Sequence, residues 1–311
     1  MTGFLLRRLL SSLITIWFIA TATFFVMHAV PGDPLSNEKA VNPEIRRHLE
    51  ARYGLDQPVL TQYGIFLRNM ATGDFGISFT QQNRRVNDII REHFPVSALL
   101  GVVALVIATL GALLFGALSA QFRDRWPDRT IMLSVIFAIS VPSFVLAALA
   151  QWGILSLNKA AGFTVLPVAG WGSWRHLIVP AVVLGLGTMA YMTRLMRSSM
   201  LEVAQADYLR TARAKGLGSL RIFVFHHMRN ALLPVVTVLG PAIAAVTTGG
   251  FVVELIFSIP GLGRYFVQAV QQLDYTVIMG TTVFYGAFLV LMVMLVDILY
   301  GLIDPRIRVG K

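Results

Sequence analysis

The sequence predicts an all-α polytopic membrane protein with six transmembrane helices and cytoplasmic N- and C-termini. Three observations lead there. Of 311 residues, 56% are hydrophobic and only 14% are charged, with a mean hydropathy of +0.68; soluble domains carry about 25% charged residues. Uncharged apolar runs recur six times along the chain. Basic residues then collect between alternate runs.

A bilayer core about 30 Å thick takes about 20 helical residues. The runs are residues 9–30, 96–122, 130–157, 177–193, 231–253 and 277–296, none with a formal charge. The fourth is short. Only helices or closed barrels satisfy the backbone in lipid. Runs this long without alternation fit helices, because barrel strands alternate over about ten residues. Arg7 and Arg8 before the first run resemble a signal-peptide start. The run is too long for a signal core of about 7–15 residues and lacks a small-x-small cleavage site. The expectation is a retained first helix. Pro142, Pro241 and the pair Gly185 and Gly187 can bend helices or let them pack closely.

Orientation follows from the connections. With the N-terminus inside, residues 1–8, 123–129, 194–230 and 301–311 together hold 15 Lys or Arg, against 3 in the short outer loops 158–176 and 258–276. Positive loops stay in the cytoplasm. The long loop 31–95 balances eight basic with eight acidic residues and takes no side. The net charge of +10 is thereby accounted for by membrane orientation, and no nucleic-acid partner is implied. The chain has no Cys, which excludes disulfides, thiolate metal sites and a Cys nucleophile. The neighbours His226 and His227 point about 100° apart on a helix, and with no third ligand evident they predict no metal site.

In the outer loop, Asn42 can cap a helix with Pro43 at its first position and Gly54 past its end. Ile45, Leu49 and Tyr53 give it one apolar stripe. A second helix is expected over residues 59–70, with Tyr63, Phe66, Leu67 and Met70 on one face, followed by a turn at Gly73-Asp74-Phe75-Gly76. Surface helices or a docking lid at the outer mouth are both compatible with this pattern.

The longest inner connection is 194–230. Residues 202–215 predict a helix, with Gly216 at its C-cap and Arg210, Arg213 and Lys215 where the helix dipole favours cations. Ser219 can cap a second helix through Leu220, Ile222, Phe223 and Phe225. Asn230 can cap the fifth span, with Pro234 in its first turn, where a proline ring clashes least. A short, basic, half-apolar helix between two spans either anchors at anionic headgroups or plugs a groove in a cytoplasmic partner.

The run Asp207-Tyr208-Leu209-Arg210-Thr211-Ala212-Arg213-Ala214-Lys215-Gly216-Leu217, then His226 and Arg229-Asn230-Ala231-Leu232-Leu233-Pro234-Val235, resembles the coupling loop of ABC importer permeases of the dipeptide and oligopeptide family. Flanking matches run the length of the chain in order: Pro31-Gly32-Asp33-Pro34, Tyr53-Gly54-Leu55-Asp56-Gln57-Pro58, Gly73-Asp74-Phe75-Gly76 with Ser78, Gly249-Gly250, Glu254 with Ile256-Phe257, Pro260-Gly261-Leu262-Gly263, Asp274-Tyr275, Asp297 with Tyr300, and Asp304-Pro305-Arg306-Ile307. The Pro-Gly-Asp-Pro run and the large first outer loop resemble the B-type subunit of the pair. Two features depart from the broader importer motif. No Glu precedes Ala212 and Ala214 as in Glu-Ala-Ala, and the interval from Gly216 to Leu233-Pro234 is longer.

The resemblance implies the ABC type I importer permease fold. It divides the chain into an N-tail and first helix (1–30), an extracytoplasmic loop (31–95), a type-1 core of five helices (96–304, with the coupling loop at 194–230) and a cytoplasmic tail (305–311). It implies that Ala212, Arg213, Ala214, Lys215, Gly216 and Leu217 couple to an ATPase. The implied partners are a second, C-type permease, two cytoplasmic ATPase subunits, an extracytoplasmic peptide-binding protein and the lipid bilayer of a bacterial cell membrane, the inner membrane in a Gram-negative cell. The implied cargo is oligopeptides or dipeptides, with nickel or glutathione as the alternative within the family.

The chain itself holds no Gly-x4-Gly-Lys-Ser/Thr loop, since Lys39, Lys159, Lys215 and Lys311 all stand outside such a pattern. ATP and magnesium are therefore expected in the partner subunits, with no cofactor and no catalytic residue in this one. An intramembrane enzyme would need a nucleophile and base at depth, and an ion-coupled transporter would need charges near the midplane; the span centres carry neither. Glu254 and Asp297 stand at span edges. A charge in the membrane is a functional candidate, and Glu254 with Pro260 and Gly261 is expected to line a substrate path or gate, or to serve structurally. Asp297 is expected to make a structural bond.

Overall fold

A computed structural model describes residues 2–30, 54–81, 83–248 and 250–303. Its helices in chain order are α1 (Thr2–Ala29), α2 (Val59–Ala71), α3 (Val86–Gln121), α4 (Trp126–Ser140), α5 (Ser143–Ala161), α6 (Trp174–Val203) and α7 (Asp207–Ala214). There follow α8 (Ser219–Ala231), α9 (Leu233–Thr248), α10 (Phe251–Ile256), α11 (Leu262–Gln272) and α12 (Tyr275–Ile303). Among the described residues the β structure is one isolated antiparallel bridge, Ile77 with Arg85. The expected helix after Pro43 lies outside the described residues, as do the Pro31-Gly32-Asp33-Pro34 run and the tail from Asp304.

Helices α1, α3, α5, α6 and α12 are each long and apolar enough to span a bilayer, and α8 with α9 forms a sixth candidate bent by 48°. Three expected boundaries move. The run 130–157 is two helices, because Val141 sits before Pro142 and is extended (φ −89°, ψ 125°). A proline ring disfavours the helical region for the residue preceding it, and the helix yields at Pro142, whereas Pro95, Pro180 and Pro241 stand inside continuous helices. The fourth span is longer than 177–193, reaching from Trp174 to Val203. Arg194 and Arg197 end the uncharged run without ending the helix. The helix expected over 202–215 is interrupted at Ala204–Ala206, so that α7 is separate from α6.

The chain divides into two units. One comprises Met1–Val96 with Gly261–Met294. Its core holds Met27, Val86, Ile89, Ile90, Leu262, Ala269, Tyr275, Val277 and Ile278. Along α2, Tyr63, Phe66, Leu67 and Met70 form the half-buried face the sequence predicts. Phe66 stacks on Phe24 of α1 at 5.6 Å, the Tyr63 ring lies tilted to Phe24 at 5.3 Å, and the Tyr63 hydroxyl hydrogen-bonds Thr21 at 2.7 Å. The turn at residues 73–76 has Gly73 and Gly76 at φ +76° and +86°. Asn87 bridges it, donating to the Gly73 carbonyl and accepting from the Phe75 amide. Asp274, 1% exposed, caps α12 by accepting from the Val277 amide at 3.2 Å. It also accepts the hydroxyls of Ser78 and Thr80 at 2.5 and 2.9 Å and the amide of Phe79 at 3.1 Å.

The other unit comprises Ser97–Pro260 with Leu295–Lys311. Helix α6 is its axis, packed against α4, α5, α9 and α10. Ala112 and Ala117 of α3, Met192, Met196 and Met200 of α6, and Ala231, Val235 and Ala242 form one buried cluster. Lipid offers no hydrophobic drive between helices, so close approach of small residues replaces it. A Cβ on Gly185 would lie 2.7 Å from the Ala104 carbonyl oxygen, and one on Gly116 would lie 2.6 Å from Met196. Outward-facing residues such as Leu133 and Ile136 of α4 are exposed and apolar, as a lipid-facing surface requires.

Candidate functional site

The elbow between α6 and α9 is built from local chain chemistry. Helix α7 ends in a Schellman motif: the Gly216 amide donates to the Arg213 carbonyl at 2.9 Å and the Leu217 amide to the Ala212 carbonyl at 3.3 Å. Gly216 takes φ +75°, a region costly for residues with a Cβ. The C-cap expected from the sequence is therefore present. Leu209, Ala212 and Ile222 are buried together, with Val203 and Leu217 against them. This divides the expected coupling set. Ala212 and Leu217 turn inward and hold α7 to the chain, whereas Arg213, Ala214, Lys215 and Gly216 are exposed. Asp207 is too distant from Arg210, at 3.9 Å and fully solvated, to hold its charge strongly.

Helix α8 differs from its expected form. Its N-cap is Gly218, with no side-chain cap from Ser219. Its middle, Ile222–Met228, is π-helical. Asn230 does not cap α9; its amide donates to the Tyr208 hydroxyl and the His226 carbonyl, both at 2.9 Å. His227 donates through Nε2 to the Met200 carbonyl at 2.6 Å, tying α8 to the end of α6. Among the described residues no group of His, Asp and Glu is arranged to hold a metal.

The expected gate residues fall in different surroundings. Glu254 is not in the fifth span itself but in the separate α10, where it is 2% exposed. Around it Val253, Phe257 and Ile259 are buried. Gln151 of α5 donates to the carbonyls of Ile256 and Val168 at 2.8 and 3.2 Å, and the Gly170 amide donates to the Phe257 carbonyl at 2.8 Å. Pro260 lies in the same unit, at its boundary. Gly261 belongs to the other unit, where it is buried at the N-cap of α11. Asp297 is on α12, and its side chain lies outside the described residues.

Two further carboxylates, Asp274 and Asp128, are buried, beyond the acidic candidates Glu254 and Asp297 that the sequence offers. Asp128, 3% exposed, precedes the apolar run that starts at Thr130. Arg197 of α6 meets it with a fork: Nε donates to Oδ1 at 2.8 Å and Nη2 to Oδ2 at 2.7 Å. The Ser119 hydroxyl and the Asp124 amide also donate to Asp128. The Arg197 guanidinium holds the Asp128 carboxyl well below the usual carboxylate range, against the opposing effect of burial. The available signal was Arg197 itself, a cation on a helix that continues past the apolar run.

The profile of the family described as binding-protein-dependent transport system inner membrane component matches residues 112–309. The profile of the N-terminal part of such membrane components matches residues 1–101. The chain is 44% identical to the dipeptide transport system permease protein DppB of Bacillus subtilis, covering 100% of this chain and 99% of that one. It is 40% identical to the oligopeptide transport system permease protein OppB of Haemophilus influenzae, over 99% and 100% of the two chains. Among solved structures, an inward-facing form of the MetNI methionine ABC transporter superposes with a TM-score of 0.52 at 18% identity, covering 69% of this chain and 94% of that one. An amino acid ABC transporter superposes with a TM-score of 0.50 at 16% identity, covering 71% and 94%. These two share the fold.

Proposed function

The chain belongs to the binding-protein-dependent transport system inner membrane components, as an ABC importer permease of the peptide branch, and on that premise we propose that it conducts short peptides across the cell membrane. Full-length similarity to dipeptide and oligopeptide permeases favours peptides over nickel or glutathione as cargo. The division into an N-terminal helix and loop followed by a five-helix core is part of the same reading. So are cytoplasmic termini, a bacterial inner-membrane location, a C-type permease partner, two ATPase subunits and an extracytoplasmic binding protein. ATP and magnesium belong to the ATPase subunits.

One observation carries the mechanism: α7 is a short capped helix whose Arg213–Gly216 end is exposed while its Leu209 and Ala212 are buried against the chain. Such an element can be pushed without unfolding. Two ATPase states that hold it in different positions shift the permease between conformations, by no more than their difference in affinity for each. Glu254, Pro260 and Gly261 remain our assignment for the path or gate. The buried setting of Glu254 suits a residue shaping the gate from behind rather than one open to solvent.

The test is Ala214→Glu, which places a charge on the exposed face and leaves Ala212 in its cluster. Uptake of labelled peptide should fall at least tenfold with membrane insertion unchanged. Normal uptake would remove the coupling role.

A further inference from the structure

The Asp128–Arg197 pair lies where a force on the elbow would enter the helices. Arg197 stands less than two turns before α6 ends at Val203. One turn beyond Arg197, the Met200 carbonyl accepts the hydrogen bond from His227 that fixes α8. On its far side, Arg197 grips a carboxylate that also binds Ser119 on α3 and the amide of Asp124. Asp124 is held at φ +61°, a conformation unusual for a residue with a side chain. Four donors from three stretches of chain therefore converge on the two oxygens of Asp128.

The glycine joints between α6 and α3 are of a different kind. A Cβ at Gly111 would meet Met189, and one at Gly116 would meet Met196. These close approaches rest on van der Waals packing, which holds two helices together but sets no bond angle. A buried, two-pronged charge-assisted bond fixes both distance and angle. Resting on the coupling role proposed above, we infer that Arg197 and Asp128 are positioning residues, forming the rigid tie that delivers a displacement of the elbow to α3 and α4.

The chain has no native Cys, so spin labels can be placed at Ser198→Cys on α6 and Leu133→Cys on α4, both exposed positions. The full complex, with its second permease, ATPase subunits and binding protein, is reconstituted in lipid vesicles. With the natural pair, the distance between labels keeps one narrow value with and without ATP. In Asp128→Asn and in the milder Arg197→Lys it broadens or becomes nucleotide-dependent. Peptide taken up per ATP hydrolysed falls at least tenfold in both, while hydrolysis continues. A label distance that stays narrow and constant in both variants overturns the tie, as does unchanged uptake per ATP. If the natural complex shows no binding-protein-dependent uptake, the function proposed above fails instead. The tie is then judged on the chain alone in lipid, where Asp128→Asn must still broaden the label distance.

Discussion

Gly185 and Gly187 stand one turn-fraction apart on α6 and have opposite surroundings. A Cβ at Gly185 meets the Ala104 backbone, which cannot move aside, whereas one at Gly187 meets nothing within 4 Å. Overpacking of this kind costs about 1–3 kcal/mol. Gly185→Ala should therefore lower the thermal midpoint of the purified chain in detergent, and Gly187→Ala should leave it unchanged or raised. Sequence pattern identified the pair but could not divide it, because the dividing contact comes from a residue some 80 positions earlier. The pairing of Asp128 with Arg197 was hidden for the same reason, although Arg197 stands out as a cation just past an apolar run. Each looked like an ordinary charge in an inner connection, and only tertiary packing shows that they neutralise each other. Separating a buried pair of this kind costs about 3–5 kcal/mol.

At the scale of elements, local chemistry was legible and partner-dependent detail was not. The face of α2 and the cap at Gly216 follow from spacing and from glycine's freedom at positive φ. Helix α7 can be graded through that cap. Asn tolerates the left-handed region better than other non-glycine residues, and β-branched residues tolerate it least. Uptake at matched membrane levels should decline in the order Gly216, Gly216→Asn, Gly216→Ala, Gly216→Val, with the larger steps corresponding to about 1–2 kcal/mol of backbone strain. An equal uptake across the series would mean that the Schellman end is not needed. The interruption at Ala204–Ala206 escaped the sequence because no Gly or Pro marks it. Beyond the break, Leu209 and Ala212 are buried in one cluster with Ile222, a contact no local pattern shows. The break between α4 and α5, by contrast, is written in Val141-Pro142, where the sequence predicts a bend and the structure has a full break.

For the whole molecule, composition and charge placement gave the membrane class and the number of candidate spans, since both depend on sums over many residues. The division of labour is a statement at the same scale. Purified by itself in lipid, the chain should hydrolyse no ATP above background in a phosphate-release assay, and adding the ATPase subunits should restore turnover. Hydrolysis by the lone chain would contradict the assignment.

The bond between Asp274 and residues 78–80 has a bearing on biosynthesis. The unit that contains it joins an early and a late stretch of the polypeptide, with 164 residues between its two pieces and a sequence separation of 194 between Thr80 and Asp274. At roughly 5–20 residues per second on the ribosome, the early half waits on the order of ten to forty seconds for its mate. During that interval Ser78 and Thr80 have no carboxylate to receive them, so a nascent chain cut short before Asp274 leaves its first-made portion unsealed and open to quality-control proteases.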